Sequence, residues 1–238
     1  MSTPNAWQVS AAPSSTEYFD ESLRQHMLRV YNYMGGGLVL TGIVAFFVAS
    51  TPAIYQPIFG TPLKWVVIFA PLAFIFFLSF RIQTISAATA QTLFWVFCAL
   101  MGLSLTAVFL VFTGTSIART FFITAAMFGA TSLYGYTTRR DLSKFGSFLF
   151  MGLIGLVIAS LVNLLIGSSA LQFLVSVVGV LVFTGLTAYD TQNIKEQFAE
   201  DFGSETNSKL AVWGALSLYL NFINLFQLLL NLTGDREE

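Results

Sequence analysis

Residues 210–232 read LAVWGALSLYLNFINLFQLLLNL. The stretch carries no charge and is long enough to cross a bilayer, which takes about 20 apolar residues. Yet Ser217, Asn221, Asn224, Gln227 and Asn231 interrupt it. At about 100° per residue these five fall within roughly a third of the helix circumference. Side-chain amides facing lipid would leave hydrogen-bonding groups unpaired, at several kcal/mol each. The stripe must therefore face protein or water. This predicts a central helix wrapped by the others. The amides either glue helices together, for about 0.6 kcal/mol each, or line a polar path.

Six further stretches read as spans: Tyr31–Ser50, Lys64–Phe80, Ser86–Phe112, Ile117–Tyr136, Phe145–Ile166 and Leu171–Asp190. With Leu210–Leu232 they make an all-α, polytopic membrane protein of seven transmembrane helices, the last one central. Composition agrees. The chain is 55% hydrophobic and 10% charged, where a soluble domain has about 25% charged residues. The third span is long enough to tilt or bend, with Gly102 as the expected point. Pro52, Pro57 and Pro62 punctuate the first loop. Small residues at Gly35–Gly37, Gly152, Gly155, Ala159, Gly179 and Gly185 suit close helix packing.

The domain division is a disordered polar tail over 1–22 and a seven-helix transmembrane domain over 23–238. The start of the chain lacks the basic segment and short apolar core of a secretory signal. Glu17 to Val30 is expected as a short helix on the membrane surface, with His26 a solvated residue on it. The one cysteine, Cys98, excludes an internal disulfide.

Charge sets orientation. Seven spans place Arg24, Arg29, Arg81, Arg139, Arg140, Lys144, Lys195 and Lys209 on one side. Lys64, Arg119 and Arg236 fall on the other. The basic side is expected to be cytoplasmic, with the N-terminus inside and the C-terminus outside. A net charge of -1 argues against a nucleic-acid partner.

Asp190 is the one carboxylate within a span. An acid there is costly to hold and marks a functional site. It shares a helix face with Ser176, Gly179 and Thr187. It can meet Asn221 only if the sixth helix continues past it, which Thr191 to Phe198 allow. Arg81 closes the second span on the same side. It either snorkels to the headgroups or forms an ion pair with Asp190. Glu196, Glu200, Asp201 and Glu205 form an acidic run between the last two spans, either a solvated loop or a place where cations gather.

Three segments carry a resemblance: Tyr134-Gly135-Tyr136-Thr137-Thr138 through Asp141-Leu142-Ser143; Thr187-Ala188-Tyr189-Asp190-Thr191-Gln192-Asn193-Ile194-Lys195; and Leu216-Ser217-Leu218-Tyr219-Leu220-Asn221-Phe222-Ile223-Asn224-Leu225-Phe226. Together they resemble the Bax inhibitor family, across essentially everything after residue 20. The resemblance implies a seven-helix fold with the last helix in the middle and a pH-sensitive calcium leak. It implies that two aspartates, on the sixth and seventh helices, share a proton-dependent hydrogen bond, and that an arginine on the second helix latches the pore. Asp190 matches the first aspartate and Arg81 the arginine. Asn221 stands where the family usually has the second aspartate. Two close carboxylates titrate as a coupled unit, whereas an Asp–Asn pair has one proton to lose. The pH response is therefore expected to be weakened or displaced, and the calcium site poorer in carboxylate.

Two functions follow as expectations. One is a leak for calcium ions or protons, with Asp190, Asn221 and Arg81 as ion path and pH sensor and the stripe as lining. The other is a non-transporting regulator that binds other membrane proteins in stress protection. No bound cofactor or metal is expected, calcium entering only as a transported ion. Catalysis is not expected, since no histidine lies in a span and an intramembrane aspartyl protease needs two aspartates. The location expected is a bacterial inner membrane.

Overall fold

In the computed structural model the described residues are 15–81, 84–199 and 202–237. They form helices α1 (Ser15–Ala49), α2 (Pro52–Phe59), α3 (Leu63–Arg81), α4 (Ala87–Val111), α5 (Gly114–Thr137), α6 (Ser143–Ile166), α7 (Ser169–Gln197) and α8 (Gly203–Thr233). All but α2 are long and apolar enough to span a membrane. The protein is an integral, multi-pass membrane protein.

The central helix is α8. It packs against α7, α1, α5 and α4. In its most apolar window 56% of residues are buried, against 11% in α6 and 17% in α3. Those two helices expose Phe76, Phe77, Phe80, Phe148, Leu161 and Leu165, the outward apolar surface that lipid solvates. Inside, Tyr219 of α8 is fully buried between the rings of Phe94 and Phe97, with centroids 6.2 and 5.8 Å away. Its hydroxyl pairs with Thr41 Oγ1 at 2.6 Å. Thr41 in turn donates to the Cys98 carbonyl, so the buried polar groups of α1, α4 and α8 satisfy one another.

Three expectations change. α1 is one helix from Ser15 to Ala49, so residues 15–22 are helical and the expected surface helix is the start of the first span. Residues 1–14 of the expected tail lie outside the described residues. At about 1.5 Å per residue α1 is longer than the hydrocarbon is thick, and its first turns lie beside the α7–α8 connection. That placement buries His26, whose ring sits 5.0 Å from that of Phe198. His26 is thus a packed residue, not a solvated one. The proline-punctuated first loop contains α2, with Pro52 in its first turn, where a missing N–H costs nothing. α4 is one continuous helix that includes Gly102. A Cβ there would meet the Thr41 carbonyl oxygen at 2.7 Å, so this glycine serves close approach of α1 and α4.

The two ends of the bundle differ. At one end Arg119 donates to the Thr233 carbonyl at 2.7 Å, and Ser116 Oγ donates to Asp235 at 3.0 Å. These contacts strap the C-terminal segment to the α4–α5 turn. At the other, Lys195 Nζ donates to the Tyr136 carbonyl, Arg29 to Ser208, and Ala87 N–H to Glu205 at 2.7 Å. Glu205 of the acidic run thus caps the start of α4. Glu200 and Asp201 lie outside the described residues.

Candidate functional site

α7 does run past Asp190, to Gln197. This carries Asp190 alongside the middle of α8. Ser217 Oγ donates to Asp190 Oδ2 at 2.6 Å, and Asn221 Nδ2 donates to the same oxygen at 2.7 Å. Asn221 is buried, at 5% exposure. Both donors come from α8, one turn apart, so a single carboxylate oxygen ties α7 to α8.

Asp190 stands at the inner end of a groove of about 1050 Å³ between α6 and α8, backed by α7. Every member of the α8 stripe lines it: Ser217, Asn221, Asn224, Gln227 and Asn231. The groove exists because α6 packs closely on α7 and has no comparable packing on α8. It extends from Gly146 to Leu164 along α6, about 27 Å at 1.5 Å per residue, close to the ~30 Å of a bilayer core. Exposure rises along it. Asn221 is buried, Asn224 and Gln227 are half-buried, and Asn231 is exposed. Asn224, which lines the groove, donates to the Leu220 carbonyl.

At the Asp190 end α6 and α7 are in close contact. Gly146 packs directly against the Tyr189 ring, leaving no room for a Cβ. One turn beyond, Gln192 holds the α5–α6 connection. It accepts from Leu142 N–H at 2.8 Å and donates to the Arg140 carbonyl at 2.8 Å. Beside it Gly135 lies against the Ala188 backbone, which brings α5 hard onto α7. Asp141 Oδ1 accepts from Ser143 N–H at 2.8 Å and fixes the start of α6. Those bonds hold its exposed carboxyl below the usual aspartate value.

Arg81 is not brought to this site. It ends α3, which packs on α4 and α2, and its side chain is exposed. No salt bridge joins it to Asp190 among the described residues. Sequence reasoning also left out Gly146, Tyr189 and Gln192. The last two lie inside the Thr187–Lys195 segment, so position beside Asp190 was a signal. Nothing in the sequence marks Gly146 as their counterpart.

The family model described as "Inhibitor of apoptosis-promoting Bax1" matches residues 23–238. The chain belongs to the Bax inhibitor family. The inner membrane protein YbhL of Escherichia coli is 48% identical over 217 residues, covering 90% of this chain and 93% of that protein. A protein of Rickettsia prowazekii is 48% identical over 225 residues, covering 94% and 95%. One of Caulobacter vibrioides is 46% identical over 229 residues, covering 92% of each. The groove holds one acid, Asp190, with Ser217 and Asn221 as its hydrogen-bond donors.

Proposed function

We propose that the protein is a proton-sensitive cation leak of a bacterial inner membrane, with the groove as its path and Asp190 as the contact for both ion and proton. The observation that carries this reading is the position of the lone carboxylate, at one end of a groove that runs about 27 Å along α6, close to the ~30 Å of a bilayer core, with the polar stripe of α8 as its other wall. Lipid would not solvate such a stripe, and helix packing alone does not need one open to the outside. The excess of Lys and Arg at the Asp190 end makes that end cytoplasmic, with the N-terminus inside and the C-terminus outside. On this reading Tyr189 on Gly146 and the bonds of Gln192 restrict the path at the cytoplasmic end, and the more exposed Asn231 marks the outer one.

Calcium is the transported ion of this reading, and the groove is sparsely built for it, with amide oxygens in place of a second carboxylate. The test is calcium uptake into liposomes holding purified protein, from mildly acidic to mildly alkaline pH, beside Asp190→Ala. Uptake that requires Asp190 supports the leak. Uptake equal to empty liposomes sinks it and turns attention to binding of other membrane proteins. Asn221→Asp then sharpens the result, since a second carboxylate should raise flux and steepen its pH dependence.

A further inference from the structure

The groove is far larger than an ion. At about 1050 Å³ it sits at the upper end of the range that drug-sized organic ligands occupy. Its two walls differ in chemistry. α8 contributes a row of amides, and α6 contributes Phe150, Leu153, Val157 and Leu161. Its charge is a single carboxylate, of which Oδ2 already accepts from Ser217 and Asn221. Among the described residues no group of three or more His, Cys, Asp or Glu side chains could hold a metal ion, and a hard dication takes six to eight oxygens. What remains at the inner end is Asp190 Oδ1 and the side-chain carbonyl of Asn221. Two such acceptors suit an ammonium, a compact charge with N–H donors and no acceptor. One carboxylate also balances one positive charge. No Lys, Arg or His lines the groove, so nothing there repels a cation or pairs with a phosphate.

We propose that the groove binds an amphiphilic organic monocation, a primary ammonium on a hydrocarbon body, with its head on Asp190 and its body along the α6 wall. The missing basic residue favours an amine without phosphate over the headgroup of an aminophospholipid. The inference rests on the reading that this groove admits cations. It does not require that any ion cross, so its test measures binding and not flux. A leak without amine binding would overturn the inference alone, and amine binding without a leak would overturn the leak alone.

The probe is hexylammonium, titrated calorimetrically against the full chain in phosphatidylcholine nanodiscs, beside hexanol as its uncharged counterpart. Amines with ordinary values near 10.4 stay protonated at neutral pH. Saturable binding is expected, with hexanol weaker by at least about tenfold, a difference of about 1.4 kcal/mol. Asp190→Asn should abolish the preference for the ammonium. Because that change also touches the bond between α7 and α8, a second variant keeps the test decisive. Ser160→Trp places bulk in the groove from an exposed position of α6, away from Asp190, and should weaken binding by at least about tenfold, again about 1.4 kcal/mol. Equal affinity for hexanol and hexylammonium, or unchanged affinity in Ser160→Trp, would overturn the proposal. Replacing the nanodisc lipid by phosphatidylethanolamine should leave hexylammonium binding intact. Loss of binding there would mean that the site belongs to a lipid headgroup and would overturn the assignment to a free amine.

Discussion

α8 and α6 face each other across the groove and obey opposite rules. α8 carries the polar stripe and is the most buried of the seven spans, while α6 is almost wholly apolar and the least buried of them. In water the apolar helix would be the one inside. In a bilayer the hydrocarbon solvates α6 as well as a protein core would, and only the amides of α8 need protein around them. Burial here follows polarity because the solvent is oil. The contrast also makes a groove with one polar and one apolar wall.

The comparison breaks most visibly on leucine. Leu225 of α8 is fully buried in a hydrophobic cluster that includes Phe183 and Leu186 of α7 and Leu149 of α6, whereas Leu161 of α6 is more than half exposed. Leu225→Ala should cost about 2–5 kcal/mol, the range for a core cavity. Leu161→Ala should stay within about 0.5 kcal/mol, as at other uncrowded sites. Unfolding in mixed micelles, followed by circular dichroism, measures both. Similar losses would mean that α6 is packed by protein and that the groove is closed in the membrane.

The next largest effects lie at the Asp190 end, where α6 packs on α7. In Gly146→Ala the new Cβ would sit 2.6 Å from Tyr189 Cζ. Such overpacking costs about 1–3 kcal/mol, relieved only if the half-buried ring swings. On the leak reading, flux should rise as stability falls. Gln192→Ala instead strips a partner from both Leu142 N–H and the Arg140 carbonyl. Groups left unpaired cost about 1–3 kcal/mol when buried, less where water reaches the loop. Hydrogen exchange across residues 138–146 should quicken while that of α8 stays slow. Unchanged exchange would mean that Gln192 is not what holds the connection.

Most of this bundle was legible because the bilayer makes hydropathy, charge and polarity readable from short stretches. The α8 stripe announced its own burial through the cost of an unpaired amide. The meeting of Asp190 with Asn221 followed from how far α7 could continue. Other features depend on where helices lean, which no local pattern fixes. Gly146 against Tyr189 joins residues from two helices with no shared signature. His26 looked like a surface residue until the length of α1 laid it beside Phe198. Arg81 shows the opposite failure. Its end of the bundle was readable, but lateral position was not, and α3 holds it against α4, away from α7.

The smallest effect concerns how α6 is tethered at this end. Asp141 is exposed, and its hydrogen bonds from Ser143 hold its carboxyl below the ordinary aspartate value. A value lowered on folding adds stability that is complete above the unfolded value of about 3.9 and lost as pH falls through the folded one. Asp141 therefore contributes a constant amount from neutral pH down to mild acid. Asp141→Asn keeps an oxygen for Ser143 N–H but removes the charge, so its melting temperature should lie slightly below wild type at neutral pH. The gap should close in strong acid, where the wild-type carboxyl is also neutral. A gap that persists there would place the role of Asp141 in shape, not charge. The tether of α6 would then rest on Gln192 and on packing against α7.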